Sequence, residues 1–242
     1  MLTGQEVQTE WRFRDFVWVI LGGIFGGGFA LIPVFALGGG SQSSLIFGLL
    51  GQNLGHLLAI WILARRRGGA AGLGFTVLPS DLPYLGFGVL LQIVLPILFL
   101  PLANLAGTED VGQVVGEEIR RLGGIGTRLL MAGMVAVVAP ITEELMFRGV
   151  LLQSLSRLSA RRGMWLSAII FALFHVFSLT GDLVRGLLLT LPPFLIIGLI
   201  LARVTQRRGR LGPAIFIHAG FNLLALVVLL MPPELVDSLM GS

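Results

Sequence analysis

Apolar residues run along this chain in long, nearly unbroken tracts, and polar residues gather in the short gaps between them. A hydrocarbon core of about 30 Å needs roughly 20 apolar residues per crossing helix. On that ruler the pattern predicts seven spans, near 16–37, 44–64, 84–105, 126–152, 164–179, 183–203 and 213–231. The expected fold class is all-α, a multi-pass transmembrane helical bundle. An eighth helix, lying in the interface around 111–122, is compatible with the pattern. The first tract, Phe16 to Leu37, is too long for a signal-peptide core and no small-residue cleavage site follows it, so it reads as a retained span.

The arginines test this count. Arg12 and Arg14 precede the first span, Arg65, Arg66 and Arg67 follow the second, Arg157, Arg161 and Arg162 follow the fourth, and Arg203, Arg207, Arg208 and Arg210 follow the sixth. These four regions alternate correctly and hold 12 of the 17 arginines. The other side holds Arg120, Arg121, Arg128 and Arg185 among Glu109, Asp110, Glu117, Glu118 and Asp182. Positive charge stays on the cytoplasmic side. The expected location is the cell membrane, with the N-terminus cytoplasmic and the C-terminus outside.

Composition agrees. The chain is 55% hydrophobic and only 12% charged, against about 25% charged in soluble domains. The pI near 11.1 would suggest a nucleic-acid partner. The net charge is only +4, in short clusters between apolar tracts, so none is expected. There is no cysteine, which excludes disulfides, thiol catalysis and thiolate metal sites. All basic residues are arginine, a composition bias without functional weight. Gly22, Gly23, Gly26, Gly27 and Gly28 in the first span read as helix packing, and Pro192 with Pro193 as a kink in the sixth. One integrated membrane domain is expected: residues 1–125 form three spans and an outer loop, 126–231 the helical core that carries the chemistry, and 232–242 a short tail.

Three ionisable groups interrupt the fourth tract, in APITEELMFRGVLL at 139–152. A charge at the centre of a membrane helix costs about 2.5–3.5 kcal/mol on insertion scales, while each leucine returns only about 0.3–0.6. Glu144 and Arg148 are four apart, so they share a face and neutralise each other. Glu143 points about 100° away and needs a partner from another helix. His175 lies in FALFHVF, and His218 lies in IFIHAGFN with Asn222 four residues on. Counted from the arginine-rich side, Glu143, His175, His218 and Asn222 fall roughly 8–21 Å deep at 1.5 Å per residue. A scattered set of tolerated polar residues need not share a layer. His56, near Asn53, reads as a packing histidine.

EELMFR, FALFH and HAGFN are EExxxR, FxxxH and HxxxN motifs. In this order on consecutive apolar segments they resemble the CAAX protease and bacteriocin-processing family, which includes type II CAAX prenyl proteases. The resemblance covers about 126–231; the first three spans carry no signature. It implies an intramembrane endopeptidase acting on a peptide or protein substrate, lipidated in the eukaryotic precedent, within the lipid bilayer. By position, Glu143 and His175 match the pair thought to activate the attacking water, His218 and Asn222 match the oxyanion-stabilising groups, and Glu144 and Arg148 complete the first motif. The family is often named as metalloproteases, and Glu143, His175 and His218 would then be the ligands of a divalent metal such as zinc. The sequence leaves both mechanisms open, and the reading leans to a glutamate-activated water with no cofactor required.

From below, the residue types suit the task. Peptide hydrolysis needs a base for water, a proton donor for the leaving amine, and donors for the former carbonyl oxygen. No HExxH zinc motif or GxSG-like serine motif occurs, and Gly181–Asp182 sits at a span end, so other intramembrane proteases fit less well. Two alternatives of other classes stand beside the peptidase reading: a non-proteolytic membrane binding or bacteriocin-immunity protein, and a transporter or proton relay.

Overall fold

The computed structural model describes residues 11–67, 69–107, 111–113, 119, 121–176 and 179–231. Among the described residues there are seven principal helices: α1 Phe13–Ala36, α2 Ser41–Ala64, α3 Pro83–Ala106, α4 Ile125–Ser156, α5 Ala160–Val176, α6 Leu183–Arg208 and α7 Gly212–Leu230. A helical turn at Pro79–Asp81 leads into α3. Six of the seven are long and apolar enough to cross a membrane; the exception is α5, with 17 residues. The fold is a multi-pass helical bundle.

One element departs from the sequence reading. Val111–Gln113 (β1) pairs antiparallel with Leu179–Gly181 (β2), Val111 opposite Gly181. The chain is a strand at the start of the proposed interfacial helix, because pairing satisfies the backbone of two connections that meet at one end of the bundle. Residues 114–118 and 120 of that stretch lie outside the described residues, as does the 232–242 tail.

At the other end, a connected set of polar contacts gathers the arginine-rich regions. Asp15 pairs with Arg67 at 2.9 Å. Trp11 Nε1 donates to Gly72 O at 2.8 Å, and Gln153 Nε2 to the same oxygen at 3.3 Å. Gln206 Nε2 donates to Ala160 O at 2.8 Å, Leu211 N to Gly74 O at 2.9 Å, and Arg210 pairs with Asp81. The Asp81 carboxylate holds the Arg210 guanidinium above its ordinary pKa. All four arginine clusters therefore share one end. From there α5 runs to the ribbon end, and its 17 residues cover about 25 Å.

Glycines set the helix spacing. A Cβ on Gly26 would strike the Gly51 carbonyl and Gly55 Cα, so α1 and α2 touch backbone to backbone. Gly22 meets Ala59 and the Gly55 carbonyl, Gly23 makes room for His56, and Gly27 faces the Gly48 carbonyl. Gly28, grouped with them by sequence, meets nothing within 4 Å. Helices α3 and α7 cross the same way, with Gly88 on the Ile217 carbonyl and Gly220 on the Leu85 carbonyl. Apolar side chains cover both the inside and the outside: Phe147, Phe171 and Leu201 are fully buried, while Phe29 and Phe35 on α1 are 68% and 67% exposed. That outer surface suits hydrocarbon.

Candidate active site

Helix α4 is irregular where the chemistry lies. It widens to π-helical turns at Met134–Val138 and again at Leu145–Leu152, with a short α-helical stretch, Ala139–Glu144, between them. Pro140 has no N–H to give to the preceding turn, and Thr142 Oγ1 donates back to Val138 O at 2.9 Å. Such widened turns recur at functional sites. Here they bracket the two glutamates.

Glu144 and Arg148 are both fully buried, with Arg148 Nη1 on Glu144 Oε1 at 3.0 Å. The guanidinium reaches further. Its Nη2 donates to Gly198 O on α6 at 3.1 Å, and its carbon stands 4.3 Å from the Phe171 ring centre. The pair expected from the four-residue spacing is present, and it has a third member. His218 Nδ1 lies 2.9 Å from the same Glu144 Oε1. Glu144 thus ties α4 to α7 as well as neutralising its own helix.

His175 is held on α5. Its Nδ1 lies 2.8 Å from Phe171 O, one turn earlier. Its ring stacks on Phe194 of α6 at 4.1 Å between centres and 25° between planes, and packs on Phe171 at 4.6 Å. Phe171 in turn packs edge-on against Phe147 of α4 at 5.1 Å. The phenylalanine of the FxxxH motif therefore fixes the histidine through both its carbonyl and its ring.

Those hydrogen bonds determine the tautomers. A carbonyl oxygen and an ionised carboxylate only accept, so Nδ1 donates in both histidines. Each neutral ring then presents the lone pair of Nε2. Both lone pairs face one atom: Glu143 Oε2, 3.8 Å from His175 Nε2 and 3.7 Å from His218 Nε2. These separations are too long for hydrogen bonds. Glu143 Oε2 is buried and has no hydrogen-bond partner among the described residues. Three acceptors facing one another repel unless a proton donor or a cation joins them. The sequence reading expected His175 as the partner of Glu143; in the structure both histidines stand beside it.

Glu143, His175 and Asn222 line a cavity of about 1560 Å³ whose wall draws on α1, α2, α3, α4, α5, α6 and α7. Asn222 Nδ2 donates to Val135 O at 3.0 Å, in the first widened stretch of α4. One amide hydrogen is thus engaged and one remains to donate. His56, 5% exposed, lines the cavity from α2.

A carboxylate oxygen and two imidazole nitrogens have the donor chemistry of a zinc site. Yet among the described residues no group of three His, Asp or Glu side chains is arranged to hold a metal ion.

Sequence reasoning missed two supports. Phe194 follows Pro192 and Pro193 with nothing local to mark it as the ring under His175. The Gly198 carbonyl, which receives Arg148, carries no sequence signal at all.

The fold makes this a multi-pass membrane protein. Its residues 125–224, from the first residue of α4 into α7, match the family described as Rce1-like, type II CAAX prenyl endopeptidase Rce1-like. That segment is similar to the CAAX-protease family, the one its three motifs resemble, which supports an intramembrane protease at family level. No curated protein and no solved structure matches the chain.

Proposed function

We propose that the protein is an intramembrane endopeptidase that hydrolyses membrane-associated or lipidated peptides with a water activated by Glu143 and His175. The observation that carries this reading is the convergence of His175 Nε2 and His218 Nε2 on a buried Glu143 oxygen at the edge of the cavity that has no hydrogen-bond partner among the described residues. Glu143 takes a proton from water as the oxygen attacks the scissile carbonyl. His175 passes that proton to the departing amine, which leaves neutral. The negative charge on the former carbonyl oxygen falls to the second amide hydrogen of Asn222 and to His218. His218 donates from Nε2 only when that atom also carries a proton. The arrangement parallels the buried acid that orients a catalytic imidazole in serine hydrolases.

The site lies in the cell membrane nearer the arginine-rich end, which we assign to the cytoplasm, so that cleavage occurs near that face. The test is a peptidase assay of the purified protein in lipid nanodiscs, with and without chelator, beside Glu143→Gln. Wild-type protein cleaves in both conditions. The variant loses at least about 100-fold, the lower range for removal of a general base, with an unchanged thermal midpoint. Retained cleavage by Glu143→Gln refutes the mechanism. Loss of wild-type activity with chelator, restored by zinc, refutes its metal independence.

A further inference from the structure

The half of the chain before residue 125 holds a polar group that the chemistry above does not use. Gln92 sits in α3, in a stretch otherwise apolar from Phe87 to Ala103. Its side chain lines the cavity, yet its Oε1 is buried and has no hydrogen-bond partner among the described residues. An amide acceptor left unpaired in an apolar surrounding is unfavourable. A helix in lipid would be more stable with methionine at that place.

Its position is informative. Helices α3 and α7 cross where Gly88 meets the Ile217 carbonyl and Gly220 the Leu85 carbonyl. The ends of both helices are also joined, through Asp81 and Arg210, so the two run in the same direction. Gln92 is one turn beyond Gly88, as Asn222 is one turn beyond His218. Both amides therefore lie beyond the crossing on the same side, and both line the cavity. The terminal torsion of a glutamine is broad, so the unpaired oxygen turns readily toward a donor in the cavity. A peptide backbone N–H is such a donor. The amide's own N–H₂ complements the neighbouring carbonyl.

We propose that Gln92 is a substrate-binding residue that hydrogen-bonds the backbone of the peptide beside the scissile bond. The proposal rests on the peptidase reading above. It is tested with the full chain in nanodiscs, in the Glu143→Gln background so that the ligand is not consumed. The probe is a fluorescent peptide farnesylated on the cysteine of a C-terminal Cys-aliphatic-aliphatic-X sequence, so that a peptide bond follows the modified residue. Gln92→Met raises its Kd about fivefold, the worth of one ordinary hydrogen bond, and the thermal midpoint stays the same or rises. A peptide set methylated at successive backbone nitrogens contains one member that loses the same factor against Gln92 and nothing against Gln92→Met. A Kd unchanged within twofold overturns the proposal, as does a lowered midpoint, which would make Gln92 a structural residue. If the peptide binds in this Gln92-dependent way while wild-type protein fails to cleave it, the peptidase reading falls and the contact stands.

Discussion

Removing the Glu144 carboxylate separates its role from that of its neighbour. In Glu144→Ala, Arg148 loses its carboxylate partner at hydrogen-bond distance and His218 Nδ1 loses its acceptor, with Arg148 fully buried and His218 nearly so. Breaking a buried ion pair by deleting one partner costs about 3–5 kcal/mol. For a chain of 150–250 residues, each kcal/mol moves the midpoint by about 2–4 °C, so the expected fall is roughly 6–20 °C. The four tryptophans report unfolding by intrinsic fluorescence, while thiol-reactive dyes have no target in a chain without cysteine. Arg148→Met alone should cost a similar amount, because it leaves the buried glutamate without its guanidinium partner, held only by the hydrogen bond from His218 Nδ1. The double variant Glu144→Ala/Arg148→Met should recover a large part of the loss, since replacing both charges with apolar groups is often neutral. A midpoint within 2 °C of wild type for Glu144→Ala would refute the reasoning. So would a double variant as unstable as the two single losses added.

Two further predictions concern the supports of the site. Gly26→Leu should lower the thermal midpoint through overpacking of about 1–3 kcal/mol or more, because its side chain meets backbone that cannot yield; Gly28→Leu, facing open space, should leave the midpoint unchanged. Phe194→Ala removes the ring stacked on His175 and should lower kcat by about tenfold through a misplaced imidazole, with Phe194→Tyr retaining most activity; a wild-type kcat for Phe194→Ala would contradict that positioning role.

The spans were legible because lipid imposes a crude rule, a long apolar run for each crossing. The arginine clusters were legible for a related reason, and the structure gathers all four at one end. Helix α5 is where the rule weakens: with 17 residues, and Arg161 and Arg162 in the first turn, it is not among the helices that length and hydropathy select. The β1–β2 ribbon was invisible, since three-residue strands have no periodicity to read. The Glu144–Arg148 pair followed from spacing within a single helix. The bond from Glu144 to His218 spans 74 residues and depends on how α4 and α7 rotate against each other, which no local pattern encodes. Gln92 stood in plain view as a lone amide in an apolar helix, but only the cavity gives it a direction.

The shared cavity wall has a consequence for how such a protein can diversify. The groups proposed for bond cleavage all come from residues 143–222, inside the matched segment, whereas Gln52, His56, Gln92 and Phe99 of the same wall come from outside it. On the proposed reading the reacting groups come from the matched segment, while the cavity wall that meets the substrate is shared between that segment and the preceding helices. A chimera that keeps 125–231 and exchanges the preceding helices for those of a relative would inherit one chemistry with another appetite, provided the Gly88–Ile217 and Gly220–Leu85 contacts are preserved at the seam.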